Sequence, residues 1–239
     1  MILTIMQPAY LPWLGFFERI ILSDVFVVLD NVQLDTNSKT NFTTRNKIRT
    51  PQGSSLLTVP IKKKGNYGNL FIHQLEISNE TNWKQKHWDS IRQFYKKALF
   101  FKEHEMFFET VFTKQHTLLI ELINEITEYL LDALGIRKKV IYASALGIQS
   151  SKDDLIVDIC NELKASTYIS GPFGRDYLNR QAFKEKNIAL LFHDYQHPVY
   201  KQLFPDFYPY MSVIDLFFNY GPGSFDILNT TKHADQLSK

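Results

Sequence analysis

The segment His193–Gln202 concentrates side chains that can accept or donate a proton. It carries two histidines, one aspartate and two tyrosines within ten residues. A carboxylate beside an imidazole fixes its tautomer and makes it a general base, so Asp194 and His197 are the predicted catalytic residues. Two alternatives stay open: a metal held by His193 and His197, for which no third ligand is evident, and a purely structural loop.

A basic segment is the second candidate. Residues 36–75 contain seven Lys and Arg but no Asp or Glu. If residues 45–49 are extended, Arg45, Lys47 and Arg49 share one face, and Asn46 adds an amide. Arginine can grip phosphate oxygens with two N–H groups, so this pattern favours a phosphate-bearing ligand. The alternative is a solvated basic loop.

The third candidate is the loop Gln7-Pro8-Ala9-Tyr10-Leu11-Pro12-Trp13. It lacks both G-x-G-x-x-G and G-x-x-x-x-G-K-[ST], which excludes the usual dinucleotide and P-loop fingerprints. Its two prolines make it rigid, Gln7 offers an amide, and Tyr10 and Trp13 offer ring faces. We expect it to line the ligand site. Alternatively, the two rings wedge the loop against the core.

Three further patterns have a structural and a functional interpretation. His87 lies on the apolar stripe of a predicted helix, which favours a hydrogen-bonded core histidine over a catalytic one. Ser212 and Asp215 fit a capping box, and a pocket role for Asp215 or Asn219 is secondary. The turn Gly171–Gly174 is either an ordinary tight turn or a helix start that presents amides to an anion.

The elements that position these residues alternate between apolar β runs and amphipathic helices. This alternation predicts an α/β fold, with a mostly parallel sheet and helices on both faces, of Rossmann-like type. Ligands bind beyond the carboxyl ends of such strands, where all three candidate segments fall. The strands are predicted at Met1–Met6, Val25–Leu29, Leu56–Ile61, Val140–Ala143, Thr167–Ser170 and Ile188–Phe192.

Residues 83–134 interrupt this alternation with a helical period that ends at Gly135, and they are predicted to be a helical insertion or, alternatively, a helical cap over one edge of the sheet. A further helix is predicted to begin with a capping box of Ser151 and Asp154. No linker or repeat divides the chain. We therefore expect one domain over residues 1–228 and a flexible tail over residues 229–239.

Composition restricts the class of protein. The chain has 239 residues, a formal net charge of +2 and one cysteine. It has no basic leader and no apolar run long enough to cross a bilayer, which predicts a cytoplasmic protein without membrane insertion. The low charge argues against nucleic acid. A small-molecule substrate is expected, a homo-oligomer stays open, and the sequence identifies neither a cofactor nor a metal.

The motifs resemble those of the WbqC-like family of bacterial proteins. The similarity runs from Gln7-Pro8-x-Tyr10-x-Pro12-Trp13, through Trp83-x-x-Lys86-His87, to His197-Pro198-x-Tyr200-x-Gln202. Such proteins are typically encoded with surface-polysaccharide biosynthesis, including that of O-antigen and lipopolysaccharide. The resemblance implies these substrate-binding candidates: Gln7, Tyr10, Trp13, Asp30, Gln33, Arg45, Asn46, Lys47, Lys86, His87, Tyr177, Tyr200, Gln202 and Asn219.

Three functions follow as hypotheses. The first, which the family resemblance favours, is a transferase that attaches a glycyl or other acyl group to a nucleotide-linked amino sugar. In it, residues 45–64 would hold the diphosphate, and His197 would deprotonate the amine. The second is an adenylate-forming or nucleotidyl-transferring enzyme, although the expected phosphate motif is missing. The third is a sugar-nucleotide-binding protein without catalysis.

Overall fold

The computed structural model describes residues 1–35, 41–63, 70–229 and 237–238. Its centre is a six-stranded sheet in the order β5-β2-β1-β6-β7-β8, parallel except for β8, which runs antiparallel to β7. The predicted α/β class with a mostly parallel sheet is confirmed. The strands of this sheet are β1 Ile2–Met6, β2 Val25–Val28, β5 Lys139–Tyr142, β6 Thr167–Ser170, β7 Ala189–His193 and β8 Leu237–Ser238.

The strand order contains one reversal of direction. From β1 the chain moves outward to β2 and then to β5, and afterwards it crosses back to β6 and β7 on the other side of β1. The segments that follow β1 and β6 therefore leave the sheet in different directions. The gap between these two strand ends is the switch point where ligands of parallel α/β sheets bind.

Apolar side chains form a core on each face of the sheet. Leu3 and Ile5 of β1 pack with helices α5 and α6, whereas Met6 packs with the remaining helices. Successive strand residues point to opposite faces, which explains why uninterrupted apolar runs serve both cores. The helices are α1 Leu14–Ile21, α2 Trp83–Tyr95, α3 Phe101–Thr113, α4 Leu119–Ala133, α5 Lys152–Glu162, α6 Arg180–Glu185, α7 Val213–Tyr220 and α8 Ser224–Asn229.

The strand predicted at Leu56–Ile61 does not belong to the main sheet, and this prediction was wrong. Its first part lies in β4 Gly53–Thr58, which pairs antiparallel with β3 Arg45–Thr50 in a separate hairpin. Thr50 pairs with Gly53, so only two residues connect the strands. A connection of that length permits only an antiparallel partner, because a parallel crossover needs a dozen or more residues.

The block 83–134 contains α2, α3 and α4, which pack into the core that α1 and α7 share. It ends as predicted, with Gly135 in the left-handed region at φ 70°. No helix of the described residues combines the length and apolarity needed to cross a membrane.

Two local predictions differ from the structure. Ser151 does precede α5, but its side chain makes no capping hydrogen bond, so the predicted capping box with Asp154 is absent. In the predicted flexible tail, Leu237 and Ser238 pair with β7, while residues 230–236 and 239 lie outside the described residues. The extent of a single domain stays a prediction.

Candidate functional site

The loop after β1, strand β3 and the segment before α7 meet at Ser212. Trp13 forms a bridge with Ser212, whose N–H donates to the carbonyl of Lys47 at 2.8 Å. Asn46 donates its side-chain amide to the carbonyl of Leu11 at 2.6 Å. Two of the segments predicted to line the site, the first loop and the basic strand, are therefore joined to the chain that follows β7.

Tyr10 and His87 link the first loop to α2. Both are buried, and the Tyr10 hydroxyl and His87 Nδ1 are 2.8 Å apart. Burial lowers the pKa of His87 to about 4, and a hydrogen bond with the Thr58 carbonyl opposes this shift only in part. Both ring nitrogens have partners, so the arrangement favours the structural interpretation of His87 and of the Tyr10 ring.

Arg49 does not form an exposed basic face with Arg45 and Lys47. It is fully buried, whereas Arg45 is half-buried and Lys47 exposed. Its guanidinium lies 4.3 Å from the ring centre of Tyr208 and donates to the backbone of two segments. The carbonyl acceptors are those of Thr50, Gly53, Pro205 and Asp206. Arg49 therefore fastens the loop after β7 to the hairpin, and only Arg45 and Lys47 stay candidates for phosphate.

Tyr200, Gln202 and Asn219 belong to a hydrogen-bond network around Asp215. The Tyr200 hydroxyl and the Gln202 amide donate to one Asp215 oxygen at 2.8 and 2.9 Å, and Asn219 donates to the Asp215 carbonyl at 2.6 Å. Burial raises the pKa of Asp215. Ser212 caps α7 by accepting from the Ile214 N–H at 3.4 Å, but the predicted capping box with Asp215 is not formed, because the Asp215 carboxylate binds Tyr200 and Gln202. The network holds the loop after β7 in place.

His197 lies among four aromatic rings and keeps one nitrogen without a partner. Its Nδ1 is 2.8 Å from the carbonyl of Pro198, while Nε2 is enclosed and has no hydrogen bond to any described residue. Burial lowers the pKa of His197, so the ring is neutral near pH 7. We call this cluster the His197 site; its rings are those of Tyr195, His197, Tyr200, Phe207 and Tyr210.

Asp194 does not orient His197, and the predicted pairing was wrong. Its carboxylate accepts two hydrogen bonds from Arg175, at 2.8 and 2.9 Å, and one from the Ser238 hydroxyl at 2.6 Å. These contacts hold the pKa of Asp194 below its usual value. The Pro198 carbonyl takes the role assigned to Asp194, because an Nδ1–H bonded to it leaves Nε2 as the basic nitrogen.

Sequence reasoning missed a buried pair, Glu18 and His193. His193 Nε2 and a Glu18 carboxylate oxygen are 3.0 Å apart, and both side chains are buried. The next residue but one, Tyr195, lies flat against Gly15, where a β-carbon would come within 2.9 Å of the ring. A signal did exist: Glu18 falls on the apolar stripe of α1 with Leu14 and Ile21, four and three residues away.

The remaining predicted residues are dispersed. Asp30 is buried and accepts from the Ser144 N–H and hydroxyl at 2.8 and 2.6 Å. Gln7 is exposed directly after β1, Gln33 is exposed five residues after the end of β2, and Tyr177 is 58% exposed after β6. Lys86 lines a groove of about 420 Å³ between β4 and the start of α2, which His87 also borders.

Comparison with known proteins gives one family and one relative. The model of the WbqC-like protein family matches residues 7–227. The chain is 30% identical over 227 residues to "Uncharacterized protein Rv1507c" of Mycobacterium tuberculosis, covering 94% of this chain and 96% of that protein. No solved structure matches this chain.

Proposed function

Because the chain belongs to the WbqC-like protein family, we propose that it transfers an acyl or glycyl group to the amine of a nucleotide-linked amino sugar. The observation that carries this proposal is the state of His197: burial lowers its pKa, Nδ1 is bonded to a backbone carbonyl, and Nε2 is enclosed with no hydrogen-bond partner among the described residues. Such a nitrogen can accept a proton from an attacking amine at neutral pH.

The reaction needs one proton acceptor and one activated acyl donor, such as a thioester. The sugar amine attacks the acyl carbonyl, the N–C bond forms, and the bond to the leaving thiolate breaks. His197 Nε2 takes the proton that the amine loses and can return it to the leaving group. The Pro198 carbonyl holds the ring in the tautomer that this step requires.

The surroundings of His197 suit a sugar nucleotide. Tyr210 is 57% exposed and its ring centre lies 5.2 Å from that of His197, which leaves an aromatic face open to a base or sugar. Lys47 is exposed on β3, and its backbone carbonyl accepts from Ser212 at the end of the same loop, so it is the candidate to meet phosphate oxygens as a point charge. The Asp215 network and Arg49 keep this loop rigid.

The direct test is product formation. The protein is incubated with UDP- or dTDP-linked amino sugars and either an acyl thioester or glycine with ATP, and amide products are detected by mass spectrometry. His197→Gln should lower turnover by about 10²–10⁴-fold, the usual contribution of a general base. In wild type, the acid limb of the pH profile should lie below about 6.5, the ordinary histidine pKa, because burial lowers the pKa of His197.

His104 supplies a matched control on α3. Its Nδ1 is bonded to the Tyr129 hydroxyl at 2.6 Å, its Nε2 is enclosed without a partner, and burial lowers its pKa too. It packs against Tyr129 and Phe217 and contacts none of the rings of the His197 site, so His104→Gln should leave turnover unchanged. Wild-type turnover in His197→Gln would remove His197 from the mechanism. Sugar-nucleotide binding without any turnover would favour the binding protein over the enzyme.

A further inference from the structure

Arg19 of α1 carries a guanidinium whose polar atoms are not paired within the described part of the chain. Its Nε is enclosed, and no hydrogen bond or ion pair joins its side chain to any described residue. The side chain as a whole is half-buried, and burial lowers its pKa. A buried charge normally has a partner, because an unpaired one is destabilising even after relaxation.

Arg175, the nearby arginine that follows β6, is a guanidinium whose charge and N–H groups have protein partners. It donates to both oxygens of Asp194 at 2.8 and 2.9 Å, and it lies 4.6 Å from the ring centre of Phe192. Arg19 has neither kind of contact. The absence of a partner is therefore specific to Arg19 and is not a general property of arginines at this edge of the sheet.

Arg19 points to the switch point of the sheet. A β-carbon at Gly171, the first residue after β6, would lie 2.6 Å from a terminal nitrogen of Arg19. Glycine at this position is what lets the guanidinium reach the end of the strand. Burial raises the pKa of the Tyr177 phenol and the Arg19 charge opposes that rise, which places this half-covered phenol beside the guanidinium.

The same helix connects this place with the segment that leads into the His197 site. Glu18 contacts His193 at the end of β7, and Arg19, the next residue, contacts Gly171 after the adjacent strand β6. Neighbouring strands are about 4.8 Å apart, so the two contacts lie along one edge within the length of a sugar nucleotide.

We propose that Arg19 binds a phosphate group of the ligand in the crevice between β1 and β6, with the Tyr177 hydroxyl as a second donor. A planar guanidinium fits phosphate oxygens through two N–H groups, and a multiply charged anion offsets the cost of the unpaired cation better than a monoanion does. The proposal that Arg19 binds an anion is independent of the proposed function. Its assignment to the phosphate of a sugar nucleotide rests on the proposed function.

Calorimetric titration of the full chain with inorganic pyrophosphate, UDP and acetate tests the site. Wild type should bind pyrophosphate and UDP more tightly than acetate. Arg19→Gln should weaken phosphate binding at least tenfold. Arg19→Lys should bind phosphate more tightly than Arg19→Gln, because lysine keeps the positive charge but lacks the paired N–H groups of the guanidinium. Gly171→Ala should weaken binding as well, since its methyl group displaces the guanidinium. UDP binding tighter than pyrophosphate assigns the site to a nucleotide, and equal binding assigns it to phosphate alone.

Arg137→Gln is the matched control, because it removes the same charge from an exposed loop before β5, at the opposite edge of the sheet. It should bind as wild type. Thermal denaturation gives an independent readout: Arg19→Gln should keep or raise Tm, whereas a structural arginine would lower it. Unchanged pyrophosphate affinity in Arg19→Gln, or equal affinity of wild type for acetate, overturns the inference. If Arg19→Gln loses pyrophosphate binding but wild type forms no amide product, the proposed reaction is refuted and the anion site is supported.

Discussion

Replacing Gly15 by alanine places a methyl group against the ring of Tyr195. The new β-carbon would lie 2.9 Å from two ring carbons and 3.0 Å from a third. Carbon atoms in contact normally stay about 3.5–4.0 Å apart, so the ring or the helix must move by about 0.5–1 Å. Overpacking of this kind costs about 1–3 kcal/mol, whereas alanine gains at most about 1 kcal/mol over glycine in a helix. Gly15→Ala should therefore lower the free energy of unfolding by about 1–2 kcal/mol.

A double-mutant cycle separates these two effects. In a Tyr195→Ala background the ring is gone, so Gly15→Ala should be neutral or stabilise the chain by up to about 1 kcal/mol. Urea denaturation of the four proteins gives the coupling energy between the two sites, expected at about 1–3 kcal/mol. Since Tyr195 and His197 share one loop, amide formation should fall in Gly15→Ala as well. Equal destabilisation in both backgrounds would refute contact between the helix and the ring.

Three further predictions concern buried polar groups. Arg49→Met should cost at least about 4 kcal/mol in urea denaturation, because the four carbonyls of Thr50, Gly53, Pro205 and Asp206 lose their donor at about 1–3 kcal/mol each; wild-type stability would show that water replaces these bonds. The pKa of His87 is lowered to about 4. The neutral His87 ring thus contributes fully to the free energy of unfolding above about pH 6.5, and this contribution is lost as the pH falls towards 4. At pH 5 the loss is about 2 kcal/mol. Comparing urea denaturation at pH 7 and 5 measures that loss, and an NMR titration of the His87 ring near pH 6.5 would contradict it. Tyr195→Phe removes an enclosed hydroxyl that has no partner among the described residues, so Tm should stay or rise. A lower Tm would mean that the hydroxyl is bonded in solution.

The main sheet could be predicted because its central strands are continuous apolar runs between helices, as in β1 and β2. Residues 56–61 gave the same apolar signal but belong to a hairpin in their first part. The deciding feature was local: only Pro51 and Gln52 separate the two strands. An apolar run indicates a buried strand, but the length of its connection decides which sheet it joins.

The site was harder to predict because partners are chosen across the fold. Asp194 lies three residues before His197, yet it binds Arg175 and Ser238, which are 19 and 44 residues away in the sequence. No spacing rule anticipates that choice. The concentration of His, Asp and Tyr side chains identified the loop that carries His197 from the sequence alone, whereas the packing of α1 decides the roles of Glu18 and Arg19.

The pairing of β1 with both β2 and β6 has a consequence for folding during synthesis. Thr4 bonds to Ile169, 165 residues later, and Arg49 bonds to the loop near Asp206, 157 residues later. Contacts of such separation form slowly compared with local helices. While the middle of the chain is still emerging from the ribosome, β1 has no partner strand on its β6 side. The hairpin then also lacks the hydrogen bonds from Arg49 to the loop near Asp206. The gap between β1 and β6 therefore exists only once the last strands are made, so ligand binding there reports complete folding more strictly than helix content does.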